Sequence, residues 1–366
     1  MNQNPKVAIV YLLYYHNESY INDAVSALKK IDYPKDRMEL IIVSNPHPED
    51  GSFVRYINEH VMPLSGNELP SITILSQKEN LGFAGGNNKG AEWAVKNDFD
   101  YIYFHNNDGF LASNAIRPLV DAMEHDKQIA ILQSLMLLYP DTELINSAGN
   151  SFHYLGFGFC DKYGKKKNEV DLPKLKKIDY ASGAAMMLRL SLVDKMGLWD
   201  EDFFMYHEDL EISLRMRLAG YKIMLSSDSV FFHKYQFGRS MKKFFLMERN
   251  RHAVMLLYFK FATLIMLLPM AFVLELGLWY FSLKKGYSRE RLRVYKYWLN
   301  ISNLKKWLKK RKKIQKLRKV KDKILLKNTK SEILFQEKEM KNPLLTNFAN
   351  PIMKVYYSII IRIIFW

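Results

Sequence analysis

Over the first 235 residues, short apolar runs alternate with stretches whose apolar positions recur every three or four residues. "VAIVYLLY" (Val7–Tyr14), "MELIIVS" (Met38–Ser44), "SITILS" (Ser71–Ser76) and "YIYF" (Tyr101–Phe104) have the length and composition of buried strands. Helical patterns near Tyr20–Lys30, Phe53–His60, Gly85–Lys96 and Asn114–Glu124 separate them. This alternation predicts an α/β fold, a Rossmann-like and mostly parallel sheet with helices on both faces. Ligands of such sheets sit beyond the carboxyl ends of the strands. His16-Asn17, Ser44-Asn45 and Asn106–Asp108 fall along that rim.

After Tyr139 the pattern loosens into a glycine-broken, aromatic stretch and a polar loop, "KYGKKKNEVDLPKLKK". "YASGAAMMLR" then returns as a strand whose small residues allow a close approach. "SVFFHKY" is a further strand, ending at His233. Beyond residue 255 the pattern changes again. "FATLIMLLPMAFVLELGLWYFSL" (Phe261–Leu283) is long enough to span a bilayer, but Pro269 and Glu275 interrupt it. Leu304, Trp307, Leu308, Ile314, Leu317 and Ile324 recur at helical spacing among lysines, as in an amphipathic helix on anionic lipid. The closing "YYSIIIRIIFW" is too short to span and reads as interfacial. The division expected is a catalytic domain over 1–255, a membrane-associated segment over 256–285 and a basic region over 286–366.

Charge sharpens this picture. From Lys284 to Lys330 there are 20 Lys or Arg against Glu290 and Asp322, a local +18 within a chain of +16, so the remainder is near neutral at −2. Basicity therefore belongs to one segment and does not mark the domain before it as a nucleic-acid binder. A single span would carry that segment outward, against the positive-inside rule, so a monotopic or peripheral attachment at the cytoplasmic face is expected. Cys160 is the only cysteine, which excludes an internal disulfide and fits a reducing compartment. Val7–Tyr15 is short, is bracketed by Lys6 and His16 and lacks a cleavage site, so no signal peptide is expected.

Three stretches carry candidate chemistry. "YIYFHNNDGFL" ends a buried strand in two amides, a carboxylate and a glycine, which is either a turn or a seat for a divalent cation against a phosphate. "ENLGFAGGNNKGAEWAV" is a glycine-rich strand-to-helix turn, with a helix starting near Gly86 whose free N–H groups favour a phosphate or another polar ligand. "FFMYHEDLEISLRMRLAGYKI" opens a helix with Glu208-Asp209, acids that suit the helix dipole and equally suit general-base work beside apolar walls.

Together with "SGAAMML" (Ser182–Leu188) and His233, these motifs resemble glycosyltransferase family 2, in particular its rhamnosyltransferase-like bacterial members, over roughly residues 5–255. The resemblance implies the GT-A fold and an inverting, metal-dependent transfer of rhamnose or another hexose. The donor implied is a UDP- or dTDP-linked sugar, and the acceptor a lipid-linked glycan or polysaccharide of the cell envelope. It implies Asp209 as the catalytic base, and Asp108 with His233 as ligands of Mg²⁺ or Mn²⁺. Donor contacts fall to Asn17, Ser44, Asn45, Asn80, Gly82, Gly85, Asn87, Asn106, Asn107 and Asp108, and substrate contacts to Ser182, Gly183, Asp200 and Glu208. Asn106 replaces the first Asp of the family's Asp-x-Asp motif, and Ser44-Asn45 replaces its usual base-reading Asp. A polyprenyl-phosphate sugar transferase and a non-catalytic membrane scaffold are the alternatives.

Overall fold

Val7, Ala8, Ile9 and Val10 are wholly inaccessible to solvent, as in a strand covered on both faces. They begin β1 (Val7–Leu13), an interior strand of a ten-stranded sheet. The computed structural model describes residues 4–14, 18–47, 52–235, 244–334, 343 and 345–366. The chain divides into two units, one of Met1–Asn150, Cys160–Ser213 and Tyr221–Tyr235, the other of Ser151–Phe159, Leu214–Gly220 and Gln236–Trp366.

In the first unit β1, β2 (Met38–Ser44), β3 (Ser71–Ser76) and β4 (Tyr101–Asn106) lie where the apolar runs predict them. They are parallel in the order β3-β2-β1-β4. Helices α1 (Glu18–Leu28), α2 (Val54–His60) and α3 (Gly82–Lys96) connect them. The chain continues through β5 (Gly109–Leu111), α4 (Arg117–His125), β6 (Ile129–Leu138), β7 (Ile145–Ser147), β8 (Asn150–Phe152), β9 (Gly158–Cys160) and β10 (Leu175–Lys177). It ends with β11 (Ala185–Arg189), α5 (Val193–Met196), α6 (Glu208–Leu218) and β12 (Lys222–His233). The whole sheet runs β10-β12-β6-β11-β4-β1-β2-β3. It is mixed, because β11 is antiparallel to both β4 and β6 while β6 and β12 are parallel.

Strand β6 escapes the sequence pattern. Its "IAILQSLMLL" is buried along nearly its whole length, and a continuous apolar run has no period to separate strand from helix. Its two polar residues are inaccessible and bonded inside the fold, Gln133 to Ser147 and Ser134 to Tyr103 and Ser229.

The glycines of α3 are explained by packing. A Cβ at Gly86 would stand 2.5 Å from Leu12, and one at Gly90 would stand 2.5 Å from Val10. Only a bare backbone lets α3 lie this close to β1. The helix also starts at Gly82, one turn earlier than its pattern implies.

The second unit holds α7 (Phe244–Tyr258), α8 (Phe261–Lys285), α9 (Ser288–Leu299), α10 (Ile301–Gln315), α11 (Asp322–Leu326) and α12 (Asn350–Ile363). The boundary expected at residue 255 falls inside α7. Pro269 and Glu275 do not interrupt the apolar segment, since α8 runs through both. Glu275 is held by Arg291 and by the Tyr295 hydroxyl. The same Arg291 reaches Glu248 at 2.7 Å, and Glu248 pairs with Arg251 at 2.9 Å. Burial favours a neutral Glu248, but the two guanidinium groups outweigh it and hold the carboxyl at about 2.

The amphipathic helix read over residues 304–325 is corrected too. Helix α10 stops at Gln315, and its Trp307 and Ile314 are buried in the protein. Arg311 donates to the carbonyls of Leu256 and Phe259, Gln315 to that of Leu257, and Arg318 to that of Tyr258. These groups close the carboxyl end of α7, whose last carbonyls have no partner within their own helix.

The α3–β1 contact is tested by Gly90→Ala. The added methyl overlaps Val10, and overpacking of this kind costs about 1–3 kcal/mol, so the melting temperature should fall. Val10→Ala in the same chain should recover most of the loss, measured by thermal unfolding of the double variant.

Candidate functional site

Strand β4 ends at Asn106, and two residues later the chain turns into β5, which pairs antiparallel with the end of β12. That pairing sets His233 opposite Gly109 and so brings its ring to Asp108. His233 Nε2 lies 3.0 Å from Asp108 Oδ1, and His233 Nδ1 lies 2.9 Å from the Oδ1 of Asn146. Asn106 Nδ2 donates to the same Asp108 oxygen at 2.5 Å. Both imidazole nitrogens therefore face oxygen acceptors. With the Nδ1 proton donated to Asn146, Nε2 presents a lone pair to a carboxylate, an arrangement that a shared proton or a cation resolves.

Among the described residues there is no group of three or more His, Cys, Asp or Glu able to hold a metal. Asp108 and His233 are thus two protein donors, one carboxylate and one imidazole. This donor set fits Mg²⁺ or Mn²⁺, which keep several positions for water and phosphate oxygens.

The second carboxylate is placed by a strained loop. Phe204, Tyr206 and His207 all have positive φ, at 61°, 68° and 65°, a conformation that costs bulky residues energy and collects at functional sites. Phe204 centres a tight turn closed by Met205 N–H on the Phe203 carbonyl at 2.7 Å. Its own carbonyl accepts from the N–H groups of Phe83 (2.8 Å) and Ala84 (3.2 Å). Gly82 makes this possible, because its φ is +70° and a Cβ there would lie 2.5 Å from the Phe204 ring. The first N–H groups of α3 are therefore engaged by Phe204 and, for Gly82, by the Asn80 side chain at 2.9 Å. The expectation that they stand free for a phosphate is corrected.

The strained loop delivers Glu208 and Asp209 into the first turn of α6. Asp209 accepts from Leu210 N–H at 2.7 Å and from Gly183 N–H at 3.5 Å. The next carbonyl of that glycine loop, on Ala184, accepts from Asn106 N–H at 2.9 Å. Gln133 Oε1 anchors the loop from below through Ser182 N–H at 2.8 Å. Asp209 and Asp108 are so linked through one short run of backbone. Desolvation raises the Asp209 pKa to about 6, against the pull of its N–H donors. Glu208 is buried, and desolvation followed by the neighbouring Asp209 charge drives its pKa well above the carboxylate range.

The other expected residues divide. Asn45 donates to the Gly82 carbonyl at 3.0 Å and keeps a buried Oδ1 that has no partner among the described residues. Ser44 is also buried, with its hydroxyl 3.0 Å from that of Ser52. Asn87 bonds the Phe83 carbonyl of its own helix, Asp200 caps Asp202 N–H, and Gly85 packs on Leu81. These contacts are internal. Asn107 is buried beside Asp108, and Asn17 lies outside the described residues. Asn146, Gln133 and Asn88 were not singled out by the sequence. Asn88 clamps Trp199 by accepting from its N–H and donating to its carbonyl, both at 3.0 Å. An asparagine or glutamine inside an apolar strand or glycine-rich helix carries no local signal of such a role.

Comparison with known proteins bears on the family and the fold. The model of glycosyl transferase family 2 matches residues 10–197. "Low-salt glycan biosynthesis hexosyltransferase Agl10" of Haloferax volcanii is 28% identical over 149 residues, 34% of this chain and 48% of its own. "Probable glycosyltransferase YdaM" of Bacillus subtilis is 24% identical over 230 residues, 61% of this chain and 49% of its own. The chain thus spans about half the length of these relatives. In fold it is similar to GalNAc-T7, solved with UDP, GalNAc and Mn²⁺, at a TM-score of 0.53 and 16% identity over 69% of this chain and 48% of that one. The fold is the GT-A arrangement.

Asp209 ionises at a cost to the fold. Its folded pKa lies above the ordinary 3.8, so that cost is absent in acid and appears as pH rises through the folded value. Asp209→Asn should therefore gain stability relative to the unmodified protein between about pH 4 and about pH 7. Denaturant unfolding at both pH values checks the sign.

Proposed function

Because this chain belongs to glycosyl transferase family 2, we propose that it is an inverting transferase of a hexose, rhamnose among the candidates. The donor is a UDP- or dTDP-linked sugar and the acceptor a hydroxyl of a lipid-linked or polysaccharide glycan. One observation carries the reading. A carboxylate with its pKa raised to about 6 sits on the Gly183 N–H, in the loop that also holds Asn106 beside Asp108. A base poised near neutrality beside a diphosphate seat is what displacement by a hydroxyl requires.

In this reading Asp209 takes the acceptor proton as the hydroxyl attacks the anomeric carbon from the face opposite the leaving diphosphate. Burial and the neighbouring Asp209 charge push the Glu208 carboxyl upward, which favours its neutral form beside that base. Asp108 and His233 would hold Mg²⁺ or Mn²⁺, and Asn146 would fix the ring so that Nε2 faces the cation. When bound, the cation supplies positive charge against the departing diphosphate. Asn45, whose buried Oδ1 has no partner among the described residues, is the rim residue best able to meet a donor N–H. The chain attaches at the cytoplasmic face of the cell membrane in this reading, and the membrane association itself is supported by α8, whose most apolar stretch has a mean hydropathy of 2.1 and is 22% buried.

Two variants test the assignments. Asp209→Asn preserves shape and helix-start chemistry, yet should slow sugar transfer by about 10²–10⁴-fold, with Glu208→Gln hurt less. Near-normal turnover of Asp209→Asn would refute the base. Asp108→Ala should remain folded while calorimetric binding of UDP and of dTDP loses its response to Mn²⁺. A retained response would remove Asp108 from the cation site.

A further inference from the structure

Helix α8 has two faces along its full length. Thr263, Leu267, Met270, Leu274 and Ser282 are buried. Phe261, Ile265, Leu268, Phe272, Leu276 and Leu283 are 56–67% exposed, and their spacing of three, four or seven residues makes one stripe. The buried face meets the helices before and after it. At the amino end, Asp322 accepts from Lys260 N–H and from the Thr263 hydroxyl, at 2.7 and 2.6 Å. Further along, Glu275 lies 3.9 Å from Arg251 of α7 and is bound by Arg291 of α9. The ring of Phe281 then lies 6.5 Å from that of Phe244. Helix α8 therefore runs back along α7. A helix of 25 residues rises about 37 Å, so crossing a bilayer would separate Lys285 from Phe244 by a membrane thickness. The contacts hold both ends on one body.

Helix α12 adds a second stripe. Tyr356 bonds the Met266 carbonyl of α8, and Ile352, Val355, Ile359 and Ile363 are 50–61% exposed. At the start of α8 a shallow, open cleft of about 520 Å³ is lined by Phe261, Leu308, Arg311, Lys312, Gln315 and Lys316. The Arg311 guanidinium stacks 4.2 Å from the Phe261 ring centroid. Phe261 and Leu308 beside the exposed Lys312 and Lys316, with Arg311 fixed behind them by the Leu256 and Phe259 carbonyls, match a phosphate head group with its first acyl carbons.

We propose that α8 and α12 lie in the plane of an anionic phospholipid bilayer without crossing it, and that the cleft at Phe261 seats a lipid phosphate against the exposed Lys312 and Lys316. This rests on the membrane attachment read above and names the surface that makes it. Apolar stripes insert to the depth of the acyl boundary, while lysines near the surface add attraction to the anionic head groups.

Two measurements on the full-length chain, with Cys160→Ser to remove the native thiol, decide it. Lys260→Cys and Lys285→Cys flank α8. Both should react with a membrane-impermeant maleimide in vesicles of one orientation, and neither in vesicles of the other. Labelling from opposite sides would overturn the in-plane helix. In flotation with phosphatidylglycerol-containing liposomes, Lys312→Glu/Lys316→Glu should bind at least about tenfold more weakly than Lys309→Glu/Lys313→Glu, which changes the same charge outside the cleft. Equal losses would reduce the cleft to diffuse charge and overturn the seat. Release of the unmodified protein by millimolar glycerol phosphate would assign the cleft to a soluble phosphate instead, and a lipid-free dimer burying the stripe would assign α8 to a second copy. Failure of the unmodified chain to float at all sinks the membrane reading itself; failure of the other comparisons sinks only this inference.

Discussion

The first unit depends on one carbonyl. Phe204 O accepts the two N–H groups that open α3, and this bond ties a helix seated on β1 to the loop that precedes Asp209. On one side, Gly86 and Gly90 let α3 press against β1. On the other, the loop must hold three bulky residues at positive φ to carry its carbonyl to that helix. A strained loop persists only when its surroundings over-determine it. Here the N–H pair, the Asn88 clamp on Trp199 and the Gly183 contact to Asp209 together do so. The position of the proposed base is thus set by packing three elements away.

Much of this was legible in the sequence, for physical reasons that can be named. Strands β1, β2 and β4 announce themselves because covered strands need uninterrupted apolar residues. Asp108, Asp209 and His233 stand at strand or helix ends, where the pattern breaks into polar residues. The glycines of α3 were read for their backbone freedom and anion-binding end, whereas their work is mostly steric. Strand β6 and Gln133 were illegible, because a strand buried on both faces has no period and its lone amide has no local partner. Asn146 was illegible for another reason. Its partner His233 is 87 residues away in the chain, and only the sheet brings them together.

In the second unit the basic residues do two different jobs, split by side-chain chemistry. Arg291, Arg311 and Arg318 turn inward, where a planar fork can bond several carbonyl or carboxylate oxygens at once. Lys305, Lys306, Lys309, Lys312, Lys313 and Lys316 remain at the surface of α10 or its end. A net charge of +18 over this segment therefore overstates what faces outward. The charge run that reads as one amphipathic helix is an internal clamp with lysines on its outer side.

The clamp on α7 has a consequence for how the chain can be divided. Hydropathy invites a cut after α7, as though a soluble enzyme preceded a detachable anchor. Such a cut would leave the carbonyls of Leu256 to Phe259 without the guanidinium and amide donors of Arg311, Gln315 and Arg318. It would also strip Arg291 from a buried Glu248, and an ion pair broken inside a protein costs about 3–5 kcal/mol. The greasy tail and the helix it follows are one folding unit, so loss of solubility on truncation would report a broken clasp rather than a missing membrane.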